Sequence, residues 1–134
     1  MYEKIFPSHI VLYEHHDVFT GEFIKHPFVV WKRQGFKSVC KSNVYGLRIT
    51  TKVNHKANYK VEIIPSETNS LKKKSFVCTD SIFLLDYDKC EVIGQLTSSE
   101  FLKVIESRIN MHNEELSEAM HTLNNITLYE CRKL

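Results

Sequence analysis

Several features that would define a class of protein are scarce in this chain of 134 residues. No apolar run approaches the ~20 residues that a transmembrane helix needs. The N-terminal stretch MYEKIFPSHIVLYEHH lacks the apolar core and the small-residue cleavage site of a secretory signal peptide. The four cysteines are scattered without a CxxC pair, which favours buried reduced thiols over a zinc site or a disulfide framework. These absences predict a cytoplasmic protein that does not contact a membrane.

A metal site is not expected either. His15 and His16 are a tempting pair of ligands. Neighbouring residues of a strand point to opposite faces, so a single ion would need a loop at this point. Solvated loop histidines are the favoured interpretation, and we predict neither a metal nor another cofactor.

Net charge is also small, at +2, but it is unevenly distributed. Residues 1–60 carry ten Lys or Arg against four Asp or Glu, whereas residues 61–134 carry eight against twelve. Five of the seven histidines also lie in the first sixty residues. This asymmetry suggests an anionic partner for the N-terminal part, although an ordinary solvated surface remains the alternative.

The residues that are present predict a mainly β protein. Short apolar or alternating stretches indicate strands at Ile10–Tyr13, Pro27–Lys32, 36–42, 44–52, 59–65, 76–86 and within 87–96. The polar segments 17–23 and 66–75 are predicted loops. A small antiparallel barrel or curled sheet over about 8–95 is the expected fold, within a single domain of residues 1–134.

A helical part is predicted at about 97–125. Thr97 and Glu100 have the spacing of a capping box, with Thr97 as the N-cap. Apolar residues follow at helical spacing as far as Ile109, and the stripe resumes at Leu116. The polar stretch NMHNE between them predicts one helix over about 98–110, followed by a second helix or a continuation to about 123.

One short stretch, Lys25-His26-Pro27, stands in front of the apolar run Phe28–Trp31. Proline lacks a backbone N–H and is tolerated at the first position of a strand. We therefore predict that the strand begins at Pro27. The ammonium group and the imidazole before it would then lie at the rim of the sheet, beside a groove.

The order of these signals resembles the MazF/PemK/Kid toxin family over about residues 8–105. The family's T-G-E-like element is Thr20-Gly21-Glu22, and its K-R-P is Lys25-His26-Pro27, with His26 in place of Arg. In the second half the stretch LKKKSFVCTDSIFLLDYDKCEVIGQL resembles the family's L-x-K-x-S, Asp-x-Ile and I-G-x-L elements. The resemblance implies an SH3-like barrel of the CcdB/PemK type, closed by the C-terminal helix.

The resemblance also implies a function. Family members are small endoribonucleases that act as toxins, so we expect metal-independent cleavage of single-stranded RNA. The 2′-hydroxyl would attack the adjacent phosphate and leave a 2′,3′-cyclic phosphate. The expected catalytic residues are His26 as base or acid, Ser42 as a donor to the phosphate and Asp80 as an orienting carboxylate. Contacts to RNA are expected from Lys25, Lys41, Arg48 and Lys52.

Other interpretations stay open at this point. The antitoxin would be a protein, or an RNA if the chain resembled the ToxN-like type III toxins that share the fold. The resemblance also allows a homodimer. A non-catalytic barrel of the same fold, which binds a protein partner or nucleic acid, is the alternative function.

Overall fold

The computed structural model describes residues 5–16, 18–34, 43–52 and 58–133. Its strands all lie between His9 and Gln95. Along the chain they are followed by a single long helix. The elements are β1 (His9–His16), β2 (Phe23–Gln34), β3 (Asn43–Thr50), β4 (Lys60–Ile63), β5 (Ser75–Cys78), β6 (Phe83–Asp86), a 3-10 turn (Tyr87–Lys89), β7 (Cys90–Gln95) and α1 (Ser98–Lys133).

The strands form one curled antiparallel sheet in the order β4-β5-β3-β2-β1-β7. The strand β3 pairs with β2 along one edge, and its other edge is shared between β6 and β5. The result is a half-barrel with one C-terminal helix, which confirms the predicted fold class. The loops predicted at 17–23 and 66–75 are found over 18–22 and 66–74, and the last residue of each predicted loop begins a strand. Gly21 of the first loop lies in the left-handed region at a φ of 74°.

The central strands are buried on both faces because successive side chains alternate between them. Ile10 and Val29 belong to the core that packs beneath α1, together with Val104 of the helix. Their neighbours Val11 and Val30 belong to a second core on the inner face of the curl. Near-continuous apolar runs in β1 and β2 are the sequence signature of this two-sided burial.

The helix begins as the sequence predicts. Thr97 donates its backbone N–H to Glu100 at 2.9 Å, and Glu100 donates its own to Thr97 Oγ1 at 3.2 Å, which completes the capping box. Of the two alternatives left open after NMHNE, the structure has the continuation, and α1 extends past the predicted end at about 123 to Lys133. Met111 is buried while its polar neighbours face solvent, so the stretch interrupts the apolar stripe and leaves the helical hydrogen bonds intact.

Two strand predictions also need correction. The apolar stretch 76–86 forms two strands, β5 and β6, which pair with different parts of β3. After β5, the Thr79 N–H still donates to the Tyr59 carbonyl of the neighbouring chain segment, while the Thr79 carbonyl accepts from Arg108 of α1. The strand predicted from Pro27 begins instead at Phe23. The strand predicted at 36–42 lies outside the described residues. Within the described ranges no helix is long and apolar enough to span a membrane.

Candidate active site

Pro27 lies inside β2, opposite Leu12 of β1. The backbone hydrogen bond that a proline cannot donate is missing on the other side of the strand, which faces β3. Pairing with β3 begins only at Phe28, which faces Arg48. The next carbonyl along β3, that of Ile49, would face the proline. Nε2 of His26 lies 2.9 Å from that oxygen. The imidazole can therefore donate the hydrogen bond that the proline cannot.

The alternation of β2 separates two residues that are adjacent in sequence. His26 faces the inner side of the curl, where its ring centre lies 5.7 Å from that of Phe28. Lys25 points to the other face, and its Nζ lies 3.6 Å from Glu91 Oε2 in an exposed ion pair. The structure therefore places only one of these two predicted site residues in the groove described next.

The side chains around His26 form what we call the aromatic groove, with a volume of about 270 Å³. Its walls come from β1, β2, β3 and β6, because the curl brings these strands around one hollow. Phe83 is 42 % exposed although it is a large aromatic residue. The residues that define the groove are Tyr13, His15, His26, Phe28, Arg48 and Phe83.

A second hollow, the basic groove, adjoins the first and measures about 380 Å³. His26 and Arg48 line both grooves, so they stand at the junction between them. The basic groove adds three exposed lysines, Lys52, Lys72 and Lys73, and the hydroxyl of Thr50. Lys74 is turned away into an ion pair with Glu62 at 3.0 Å.

The electrostatics at the junction keep His26 neutral at physiological pH. Burial lowers the pKa of His26 below its ordinary value of 6.5, and the positive charge of Arg48 lowers it further. The hydrogen bond to Ile49 opposes these effects, while His15 and Lys52 add smaller lowering contributions. A neutral imidazole is able to accept a proton, which is the requirement for a general base.

Nε2 of His26 has two competing partners. The Nε–H of Arg48 points at the same nitrogen from 3.0 Å. A neutral imidazole nitrogen either donates or accepts, so the bond to Ile49 and the bond from Arg48 belong to different tautomers. When Nε2 carries the proton and donates to Ile49, the lone pair of Nδ1 is free. When Nε2 accepts from Arg48, the proton sits on Nδ1.

His15, which the sequence suggests only as a metal ligand, lies close to His26. The two residues stand on neighbouring strands and point to the same face, and their ring centres are 6.5 Å apart. His16 points the other way, towards Phe23, with a ring separation of 5.3 Å. His15 could have been predicted from the alternation of side chains along β1, combined with the pairing register between β1 and β2.

The other predicted residues lie elsewhere. Asp80 follows β5, where its Oδ2 accepts the backbone N–H of Asn58 at 3.1 Å. It lines a third hollow, the acidic cleft, of about 270 Å³, which shares none of its lining residues with the two grooves. Ser42 and Lys41 lie outside the described residues. The residues that define the acidic cleft are Asn58, Asp80, Met111, Glu114, Glu115 and Glu118.

Solved structures resemble this fold over most of the chain. A structure described as "Endoribonuclease in complex with its cognate antitoxin from Mycobacterial species" aligns with a TM-score of 0.55 and 16 % identity, covering 83 % of this chain and 95 % of that one. The Mycobacterium tuberculosis toxin MazF-mt6 aligns with a TM-score of 0.56 and 20 % identity, covering 77 % and 96 %. At these identities the likeness shows the fold alone.

Sequence comparison gives the family directly. No curated protein sequence matches the chain. The family model described as "PemK-like, MazF-like toxin of type II toxin-antitoxin system" matches residues 9–111, which is most of the chain. The resemblance noted in the sequence is thereby confirmed, and this chain belongs to the family of PemK-like, MazF-like toxins of type II toxin–antitoxin systems.

Proposed function

We propose that this chain is an endoribonuclease toxin that cleaves single-stranded RNA in the cytoplasm and is held inactive by a protein antitoxin. The observation that carries the proposal is the position of His26 and Arg48, which line both the aromatic groove and the basic groove. The family supports a toxin with a protein antitoxin rather than an RNA antitoxin. One structural neighbour is an endoribonuclease in complex with its cognate antitoxin, which supports the same activity and partner here.

The pair of grooves suits an unpaired strand. A base that is free of its complement can stack on an aromatic ring, which contributes roughly 1–3 kcal/mol per base, and Phe83 offers an accessible ring face in the aromatic groove. The following phosphates would lie along Lys52, Lys72 and Lys73 in the basic groove. A paired base could not enter the aromatic groove without leaving its duplex, so single strands are the expected substrate.

In this arrangement His26 is the general base. With Nε2–H donating to the Ile49 carbonyl, the ring is held in orientation and Nδ1 accepts the proton of the 2′-hydroxyl. The 2′-oxygen then forms a bond to phosphorus, and the bond from phosphorus to the 5′-oxygen breaks. Arg48 stabilises the negative charge that develops on the non-bridging oxygens.

Arg48 also links substrate binding to the state of the base. In the free protein it competes with Ile49 for Nε2 of His26. A bound phosphate draws the guanidinium towards its own oxygens, because a charge-assisted bidentate contact is stronger than a bond to a neutral ring. Nε2 is then released to donate to Ile49, and Nδ1 becomes free to accept a proton.

The leaving 5′-oxygen needs a proton from a second group. His15 is exposed, lies in the same groove and is near enough to His26 for both to reach one phosphodiester. We assign the role of general acid to His15. The proton transfers then balance, because His26 gains the proton of the 2′-hydroxyl and His15 supplies the proton of the new 5′-hydroxyl.

Ser42 remains a proposed donor to the phosphate. It directly precedes β3, the strand that carries Arg48, but it lies outside the described residues. Lys41 likewise remains a proposed RNA contact. Lys25 remains a proposed RNA contact and Asp80 a proposed orienting carboxylate. Neither residue lines the two grooves around His26.

The proposal is tested by incubating the purified chain with a mixed single-stranded RNA in excess EDTA and analysing the new ends. Cleavage is expected to persist and to leave 2′,3′-cyclic phosphates, since the assigned groups are side chains of this protein. Loss of cleavage that a divalent ion restores would overturn the mechanism, as would products with 3′-hydroxyl ends. RNA that is bound but left intact would identify an inert binding barrel instead.

A further inference from the structure

The loop that leads into β5, residues 66–74, carries two of the lysines of the basic groove, and we call it the basic loop. Lys72 and Lys73 are exposed and line the groove from this loop rather than from a strand. A loop that must be ordered when it binds loses affinity to the entropy of that ordering. The contacts that hold the basic loop in one conformation therefore affect how tightly the groove can bind a phosphate backbone.

One fully buried side chain, that of Asn69, joins three points along this part of the chain. Its Oδ1 accepts the backbone N–H of Ser66 at 2.9 Å and that of Leu71 at 3.0 Å. Its Nδ2 donates to the carbonyl of Ile64 at 2.8 Å. An aspartate has no N–H to donate and a leucine has neither a donor nor an acceptor, so this set of bonds requires a side-chain amide.

The backbone on both sides of Asn69 is fixed as well. The N–H of Asn69 donates to Ser66 Oγ at 3.2 Å, and the N–H of Ser70 donates to the Ser66 carbonyl at 3.0 Å. Ser70 lies in the left-handed region at a φ of 58°. A residue other than glycine adopts this conformation at a cost in free energy and keeps it only where surrounding contacts hold it. The hydrogen bonds of Asn69 and Ser66 are such contacts.

The basic loop also packs closely against β7. A Cβ atom at Gly94 would lie 2.5 Å from the carbonyl oxygen of Asn69 and 2.9 Å from that of Thr68. The two backbones can approach this closely because Gly94 has no side chain. The N–H of Gln95 donates to the Thr68 carbonyl at 2.9 Å. The loop is therefore attached to the sheet at its middle as well as at its ends.

Lys72 and Lys73 lie between two fixed points. On one side Leu71 donates its N–H to Asn69, and its side chain packs against the core beneath α1. On the other side Ser75 Oγ donates to the carbonyl of Lys73 at 2.9 Å. The backbone that carries the two ammonium groups is thus ordered before any ligand arrives, and only the side chains remain to be ordered on binding.

We propose that Asn69 is a positioning residue of the basic groove, which holds Lys72 and Lys73 in place for the phosphates of a bound RNA strand. This inference rests on the proposed function, because it assigns a further residue to the same site. Asn69 is fully buried and is not one of the residues that line the two grooves, so it acts through the loop and not by touching RNA. His26 and Arg48 stand on β2 and β3, so the chemical step does not depend on it.

The test is a double-mutant cycle on the affinity for a non-cleavable single-stranded RNA, together with the kinetics of cleavage. Asn69→Ala is made in the natural chain and in Lys72→Ala with Lys73→Ala. In the natural chain it is expected to weaken the affinity by roughly 5- to 150-fold, because two lysines must then be ordered on binding. KM should rise while kcat stays unchanged. In the chain without the two lysines, the same substitution should change the affinity by less than about twofold.

Thr79→Val is the matched control for the loss of a buried hydrogen bond. Thr79 is as fully buried as Asn69, and its Oγ1 is hydrogen-bonded to Ser107 Oγ of α1, outside both grooves. Valine keeps the shape of the side chain, so this variant is expected to be less stable but to bind RNA like the natural chain. A loss of affinity as large as that from Asn69→Ala would trace both losses to stability alone and overturn the proposal.

Two further results overturn the positioning role in a chain that still cleaves RNA. One is natural affinity in Asn69→Ala, and the other is the same loss of affinity with and without the two lysines. Natural affinity in Lys72→Ala with Lys73→Ala overturns it too, because the groove lysines would then not contact RNA. A natural chain that neither binds nor cleaves RNA would instead overturn the proposed function, and this inference with it.

If Asn69→Ala fails to fold, as judged by circular dichroism, Ser66→Ala decides. Ser66 is exposed, so the loss of its hydroxyl removes the partner of the Asn69 N–H with little risk to the core. A smaller loss of RNA affinity that disappears in the chain without Lys72 and Lys73 supports the proposal. An affinity equal to that of the natural chain overturns it.

Discussion

The chain carries two hollows of equal volume, about 270 Å³ each, and opposite character. The aromatic groove is walled by rings and joins a row of lysines at His26 and Arg48. The acidic cleft is walled by Asp80 and by glutamates on α1. A phosphate backbone is attracted to the first and repelled by the second. Size alone therefore does not identify the site in this molecule, whereas charge and stacking surface do.

The largest effect in this comparison is expected from His26→Ala. Loss of the general base should lower the cleavage rate by roughly 10²–10⁴-fold, with RNA affinity changed much less. His16→Ala is the matched control, since His16 lies on the adjacent strand and points away towards Phe23. Cleavage within a few-fold of the natural rate by His26→Ala would transfer the role of base to another residue.

The pH dependence tests the same residue without a substitution. The pKa of His26 is lowered from 6.5, so the imidazole stays unprotonated and competent at pH 7. The cleavage rate should fall on the acid side only as the pH drops through that lowered value. An acid limb centred above 6.5 would contradict the assignment of His26 as the base.

The next largest effect is expected from Arg48→Ala. Removal of a donor that stabilises the developing charge costs roughly 10²–10³-fold in rate. The acid limb should also move to higher pH, because the charge of Arg48 is one of the causes that lower the pKa of His26. Lys25→Ala is the control, since its cation is on the other face of β2. If Arg48→Ala cleaves more slowly but the acid limb of its pH–rate profile does not move, the charge of Arg48 does not affect the pKa of His26.

Much of this arrangement follows from the sequence, and the errors have identifiable causes. The capping box and the order of the strand signals can be read from residue types and spacing. His26 and Arg48 stay predicted site residues, and the structure brings them together at the junction of the two grooves. The strand β2 begins at Phe23 and not at the predicted Pro27, because a proline does not have to mark the start of a strand. Its missing N–H is in fact opposite a carbonyl that His26 can reach, and this requires the register between β2 and β3.

The composition of the groove depends on contacts that are distant in sequence. Phe83 and His15 come from strands that meet only after the sheet curls, so neither could be assigned to a common site from local pattern. Adjacency in the sequence predicts Lys25 beside His26, although the period of two along a strand places their side chains on opposite faces. The family resemblance predicts Asp80 for the same site, whereas the structure places it after β5, in the cleft that α1 lines.

A smaller effect is expected on binding when the stacking surface is removed. Phe83→Ala should weaken the affinity for a non-cleavable single-stranded RNA by roughly 5- to 150-fold, the equivalent of one lost stacked base at about 1–3 kcal/mol. Tyr59→Ala is the matched control, since it removes an aromatic side chain that lines the acidic cleft. Equal losses from both variants would mean that RNA does not distinguish the two hollows.

The lysines of the basic groove should affect salt dependence more than specificity. Lys72→Ala with Lys73→Ala is expected to reduce the slope of log affinity against log salt by about 2, one unit for each lost phosphate contact. Lys74→Ala, whose ammonium group is paired with Glu62, should leave the slope nearly unchanged. The same change of slope from both variants would place the phosphates outside the basic groove.

The smallest effect is expected from Asp80→Asn, which removes a charge from the acidic cleft. The substitution keeps an oxygen that can accept the Asn58 N–H, so the fold around the cleft should be preserved. Cleavage should change by no more than about fivefold, the equivalent of a surface charge interaction of up to ~1 kcal/mol. Asp88→Asn, an exposed carboxylate of the 3-10 turn, is the control. A loss comparable to that of His26→Ala, with no loss of thermal stability, would restore the orienting role that the family resemblance implies. It would also mean that the acidic cleft and the aromatic groove act on the same RNA, despite their opposite charge.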